Sequence, residues 1–152
     1  MNSRRAFLGF AIALPVFGSV LRPALASTAE VFNSSGIAIH GYDPVGYFTQ
    51  NKPVDGNDAF RLRWMGVNWR FSNEENMTAF EANPWAYAPH FGGYCAYAMS
   101  KGAIANSVPE AWTIHEDRLY LNFSTGVRDI WRRDIPGYIA AAEKVWPGIL
   151  NA

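Results

Sequence analysis

The sequence predicts one small α+β domain, built from two antiparallel β-hairpins and three or four short helices. Three observations carry that expectation. The 152-residue chain is long enough for one core and too short for two sizeable ones. Two stretches alternate apolar and polar residues on either side of a tight turn, the period of a half-buried hairpin. Each hairpin is followed by apolar residues at helical spacing, the first of them after a capping box. Six Trp, seven Tyr and ten Phe supply the core, and one cysteine excludes an internal disulfide.

Residues 1–26 read as an export signal. Arg4-Arg5 precede an apolar run from Phe10 to Leu21, and Ala24-Leu25-Ala26 forms an A-x-A cleavage site that makes Ser27 the mature start. The alternative is an uncut N-terminal anchor. Ser3-Arg4-Arg5-Ala6-Phe7-Leu8 resembles the twin-arginine signal, which implies a bacterial periplasmic protein and the twin-arginine export machinery as a partner. Taking 26 of the 152 residues away leaves 126, with ten basic against thirteen acidic residues, since Arg4, Arg5 and Arg22 leave with the signal. That balance offers no footprint for nucleic acid. No later apolar run reaches the roughly 18 residues of a membrane span, so no membrane association is expected after cleavage.

Along the mature chain, 27–36 reads as a polar linker, 37–148 as the domain and 149–152 as a tail. Ile37-Ala38-Ile39 suits a short strand. Asp43-Pro44 places a cap and a first-turn proline ahead of a helical turn ending near Phe48, so Asp43 reads as a cap rather than a catalytic acid. Phe60, Leu62 and Trp64, then Val67, Trp69 and Phe71, alternate about Met65-Gly66 as the first hairpin. Ser72 and Glu75 match a capping box for a helix over 73–82 with Met77 and Phe80 inward. A helix from Tyr94 to a left-handed cap at Gly102 would put Cys95 and Met99 on one face. The second hairpin turns at His115-Glu116-Asp117, with Trp112 and Ile114 on one arm and Leu119, Leu121 and Phe123 on the other. Two amphipathic segments follow, one with Val127, Ile130 and Trp131, the other running from about Asp134 to Pro147-Gly148.

Chemistry concentrates at His90-Phe91-Gly92-Gly93-Tyr94-Cys95. An exported lone thiol reads as a small buried hydrophobe, as a soft metal ligand, or as a redox nucleophile. As a ligand, Cys95 would take His90 and the thioether of Met99 as partners, a donor set that favours copper ahead of zinc. His40 is a further histidine able to approach, whereas His115 falls at a hairpin tip. A second reading is a metal-free module in which Trp85, Tyr87, Phe91, Tyr94 and Tyr97 form an aromatic surface for a ligand or a periplasmic partner protein. Hydrolase, kinase and dinucleotide motifs are absent, so no enzyme activity is expected.

Three segments together resemble the YHS domain family: Gly41-Tyr42-Asp43-Pro44-Val45-Gly46-Tyr47-Phe48, the run from Trp64 to Ser72 with Phe80-Glu81-Ala82-Asn83-Pro84, and Tyr87-Ala88-Pro89-His90-Phe91-Gly92-Gly93-Tyr94-Cys95-Ala96. The likeness covers about Ile37 to Trp146 and is to the exported branch. It implies a compact α+β domain and, from relatives found beside copper-transporting ATPases, metal binding or sensing. The metal-associated members carry cysteines where this chain has Gly46 and Ser72, which leaves Cys95 as the thiol for any such site.

Overall fold

The alternation between Phe60 and Phe71 folds as its period predicts. In the computed structural model, which describes residues 27–152, β3 (Asn57–Trp64) pairs antiparallel with β4 (Val67–Phe71), Trp64 opposite Val67. The predicted export signal lies outside the described residues. Val67, Trp69 and Phe71 are buried while Asn68 faces solvent, the period-two division of a sheet with one wet face. Short strands β1 (Asn33–Ser34) and β2 (Ile37–Ala38) extend the sheet, β2 running parallel to β4, in the order β1-β2-β4-β3. The open edge at β3 carries Arg61, Arg63 and an Asp58–Arg70 ion pair at 2.8 Å, charges that discourage edge pairing.

The second hairpin joins β5 (Val108–His115) to β6 (Arg118–Asn122) through Glu116-Asp117, whose φ values of 48° and 59° match the twist of a tight two-residue turn. His115 belongs to the strand end and is half-buried, not at the tip. Phe123, expected inward, is 54% exposed because β6 ends at Asn122.

Asp43 organises the first half of the chain. Its Oδ1 accepts from the Val45 and Gly46 amides at 2.9 and 3.3 Å, ahead of α1 (Gly46–Gln50), which is the capping role expected. Its Oδ2 accepts from Ser72 N, Ser72 Oγ and Asn76 Nδ2 at 2.8, 2.7 and 2.7 Å. Ser72 is thereby occupied, and the cap of α2 (Glu74–Ala82) is Asn73, which accepts from Asn76 N at 2.8 Å. The capping box centred on Ser72 is displaced by one residue for that reason.

Further helices are α3 (Pro84–Tyr87), α4 (Ala96–Ser100), α5 (Thr125–Trp131) and α6 (Ile135–Glu143). The α+β class holds, and single-turn segments such as α1 and α3 raise the number of helices beyond three or four. Ser124 and Asp134 cap α5 and α6 by accepting from Val127 N and Gly137 N. α4 starts at Ala96, two residues later than the pattern suggests, because Tyr94 is still extended and Cys95 is the cap. α6 stops at Glu143, short of Pro147.

Two apolar clusters fill the interior. One gathers Trp69, Phe71, Phe80, Tyr47, Leu119 and Leu121; the other gathers Phe91, Tyr94, Met99, Tyr120, Trp131 and Leu150. The segment expected as a linker is part of this structure. Val31 is 4% exposed, and Thr28 N donates to Leu150 O at 3.2 Å. The expected tail forms a 3₁₀ turn, Gly148–Asn151, that buries Leu150. Among the described residues no helix is long and apolar enough to cross a membrane.

Candidate functional site

A cavity of about 200 Å³ opens where the first hairpin's turn, α3, the His90–Gly93 turn and the N-terminal segment meet. Trp64, Trp69, Trp85, Phe91 and Trp146 form its walls, with His90, Arg118 and Glu30 as polar groups. Trp69 is 1% exposed and donates Nε1–H to Trp64 O at 3.1 Å, so the floor is fixed. Trp64 meets Trp85 edge-on, with centroids 4.8 Å apart, and Phe91 meets Trp146 edge-on at 6.1 Å. Trp85 is 69% exposed, which leaves one wall of the cavity accessible.

The glycine pair shapes the side of the cavity formed by the His90–Gly93 turn and the N-terminal segment. Phe91, Gly92 and Gly93 all have positive φ, at 53°, 62° and 81°. Holding a phenylalanine in the left-handed region is costly and persists only where its surroundings fix it. Gly92 brings the N-terminal segment against the turn: Phe32 N donates to Gly92 O at 2.8 Å, and a Cβ on Gly92 would run into Glu30 O. Tyr94 Oη donates to Ala29 O at 2.7 Å, clamping the same segment. This is how Glu30 and Val31 come to line the cavity.

His90 lies against Phe91 and Tyr120, with centroids 4.3 and 5.4 Å away, and its Nε2 is 3.9 Å from Glu143 Oε1. Burial, seconded by the charge of Arg118 and opposed by Glu143, holds its pKa below the ordinary value, so the ring is neutral near pH 7. Arg118 itself forms no ion pair among the described residues.

Cys95 sits elsewhere in the packing. It is 1% exposed; its thiol approaches Asn122 Oδ1 at 3.6 Å and accepts from Ala98 N at 3.5 Å as the α4 cap. Asn122 Oδ1 also accepts from Tyr97 N at 3.0 Å, which fixes that oxygen toward the thiol. Met99 is fully buried in the second cluster, and neither it nor His90 enters the sulfur's hydrogen bonds. The sulfur's hydrogen-bond partners are thus Asn122 Oδ1 and Ala98 N. Among the described residues no three or more His, Cys, Asp or Glu side chains gather at metal-binding distance. At Gly46, a Cβ would lie 2.8 Å from Val54 Cβ, so a cysteine there would have to displace Val54.

The five aromatics expected to share one surface divide instead. Trp85 and Phe91 line the cavity. Tyr94 is buried, Tyr87 packs edge-on against Phe48 at 5.5 Å, and Tyr97 packs on Tyr138 at 5.3 Å beneath the Lys101 ammonium. His40 bonds Ser107 O at 3.0 Å and packs edge-on against Phe32. Sequence reasoning missed Trp64, Trp69, Trp146, Arg118 and Glu30 as lining residues. The first two carry only the signal of a strand's inward face, and the others come from remote segments with none.

Comparisons with family models, with curated proteins and with solved structures find no match to this chain.

Proposed function

We propose that the mature chain is a YHS-like, metal-free binding module of the bacterial periplasm that holds a small ring-bearing ligand in the tryptophan-lined cavity. The observation that carries this reading is the wall of Trp64, Trp69, Trp85, Phe91 and Trp146 around about 200 Å³. An apolar protein cavity of about 150 Å³ suffices for a benzene ring. Rings that meet edge-on present the faces and edges that a further aromatic ring packs against. The buried, hydrogen-bonded Cys95 supports the same reading, since it fills a structural place as the α4 cap.

The test takes mature protein purified from periplasm without a histidine tag, with Trp85→Ala and Cys95→Ser variants. Indole and benzyl alcohol serve as neutral ring probes, followed by tryptophan fluorescence and calorimetry. Binding to the parent, weakened at least about fivefold in Trp85→Ala and unchanged in Cys95→Ser, supports the module. Elemental analysis runs beside it. Near-stoichiometric copper, lost in Cys95→Ser, overturns the module and restores the Cys95, His90 and Met99 reading.

A further inference from the structure

The polar groups of the cavity are unequal, and that inequality selects a ligand. Arg118 opens β6 immediately after the Glu116-Asp117 turn, and its side chain reaches the cavity lining. Among the described residues no carboxylate lies within ion-pair distance of it; Glu143 faces His90 at 3.9 Å instead. His90 beside it is neutral near pH 7 and offers no competing charge. A free guanidinium at the lip of an aromatic pocket is a planar fork that matches a carboxylate in two parallel hydrogen bonds. The remaining charged group of the lining is Glu30, brought in by the N-terminal segment.

We infer that the ligand is a single-ring aromatic monocarboxylate, its ring packed among Trp64, Trp85 and Phe91 and its carboxylate paired with Arg118. The inference rests on the cavity being a ligand site. The volume of about 200 Å³ limits the apolar part to one ring. Arg118 sets the charge: it is the one Lys or Arg of the lining, so a second carboxylate on the ligand has no cation to pair with. A cationic ring gains cation–π attraction from the tryptophans but is repelled by Arg118, so it binds more weakly than its anionic counterpart.

The experiment compares benzoate, benzamide, benzylammonium and terephthalate on the mature protein by calorimetry at low ionic strength, with Arg118→Gln as the variant. Benzoate is expected to bind about three- to tenfold more tightly than isosteric benzamide, with benzylammonium and terephthalate weaker still. In Arg118→Gln, which lies on an exposed hairpin position, the benzoate preference disappears while benzamide binding stays. Equal binding of benzoate and benzamide by the parent, or a preference for the cation, overturns this inference and leaves the ring-binding module standing. Failure of every probe, neutral rings included, overturns both. Circular dichroism of the variant confirms that any loss is at the site.

Discussion

Replacing Asp43 by asparagine tests how much one carboxylate contributes to the fold. The side chain is fully buried and accepts five hydrogen bonds, two on Oδ1 from Val45 N and Gly46 N, three on Oδ2 from Ser72 N, Ser72 Oγ and Asn76 Nδ2. Asparagine keeps the shape and replaces one acceptor oxygen with an NH₂ group. Turned one way, it confronts the two amides that open α1. Turned the other, Ser72 Oγ can rotate to accept, but Ser72 N and Asn76 Nδ2 are left facing a donor. Either orientation strands one buried donor outright, Val45 N or Ser72 N, at about 1–3 kcal/mol, since Gly46 N keeps Asp43 O at 3.2 Å and Asn76 Nδ2 keeps Ser72 Oγ at 3.3 Å. The expected loss is therefore about 1–3 kcal/mol, a sizeable fraction of the roughly 5–15 kcal/mol that holds a domain together. Urea unfolding followed by circular dichroism and tryptophan fluorescence measures it. A change below about 0.5 kcal/mol would refute the argument, because it would mean that water or a rearranged Ser72 and Asn76 satisfies the stranded groups.

Two further outcomes follow from the His90–Gly93 turn. Gly92→Ala places a methyl group against Glu30 O in a backbone of φ 62°, so it should cost about 2 kcal/mol or more and release the N-terminal segment. Hydrogen exchange over 28–32 reads that release, and undiminished protection there would count against the clamp. His90, held by burial and by Arg118 below its ordinary value of 6.5, takes up its proton at higher pH in the unfolded chain than in the folded one. Its neutral form therefore leaves stability intact above that ordinary value. Stability declines as pH falls through about 6.5 and levels off below the folded value. His90→Gln should flatten this part of the stability curve, and an identical slope in parent and variant would remove His90 as its source.

Local rules made much of the fold readable from the residues alone. Alternation in Val67-Asn68-Trp69-Arg70-Phe71 named the strand and its buried face, because period two is imposed by the pleat itself. Asp43 and Asp134 announced their helix starts for an equally local reason: each bonds an amide within three residues. The larger failures are long-range. Ser72 caps nothing because Asp43, 29 residues away, claims its hydroxyl. Residues 27–36 read as a polar linker, yet Gly92 holds Phe32 N and Tyr94 holds Ala29 O. The cavity was legible in part, through Trp85 and Phe91, whereas Arg118 and Trp146 reach it from segments whose own patterns describe only a turn and a helix end. Cys95 drew attention through its chemistry, and no sequence rule could have shown that Asn122 would meet its sulfur.

β6 has a further consequence for how the molecule comes apart. Leu119 and Leu121 point into the cluster around Trp69, and Tyr120 between them points into the cluster around Trp131. A five-residue strand thus serves as a shared wall, with every residue from Leu119 to Asn122 buried. Neither cluster can open along that wall without exposing the other to water. Separate melting of the two halves is thereby made expensive, and the domain gains all-or-none unfolding from the alternation of three side chains.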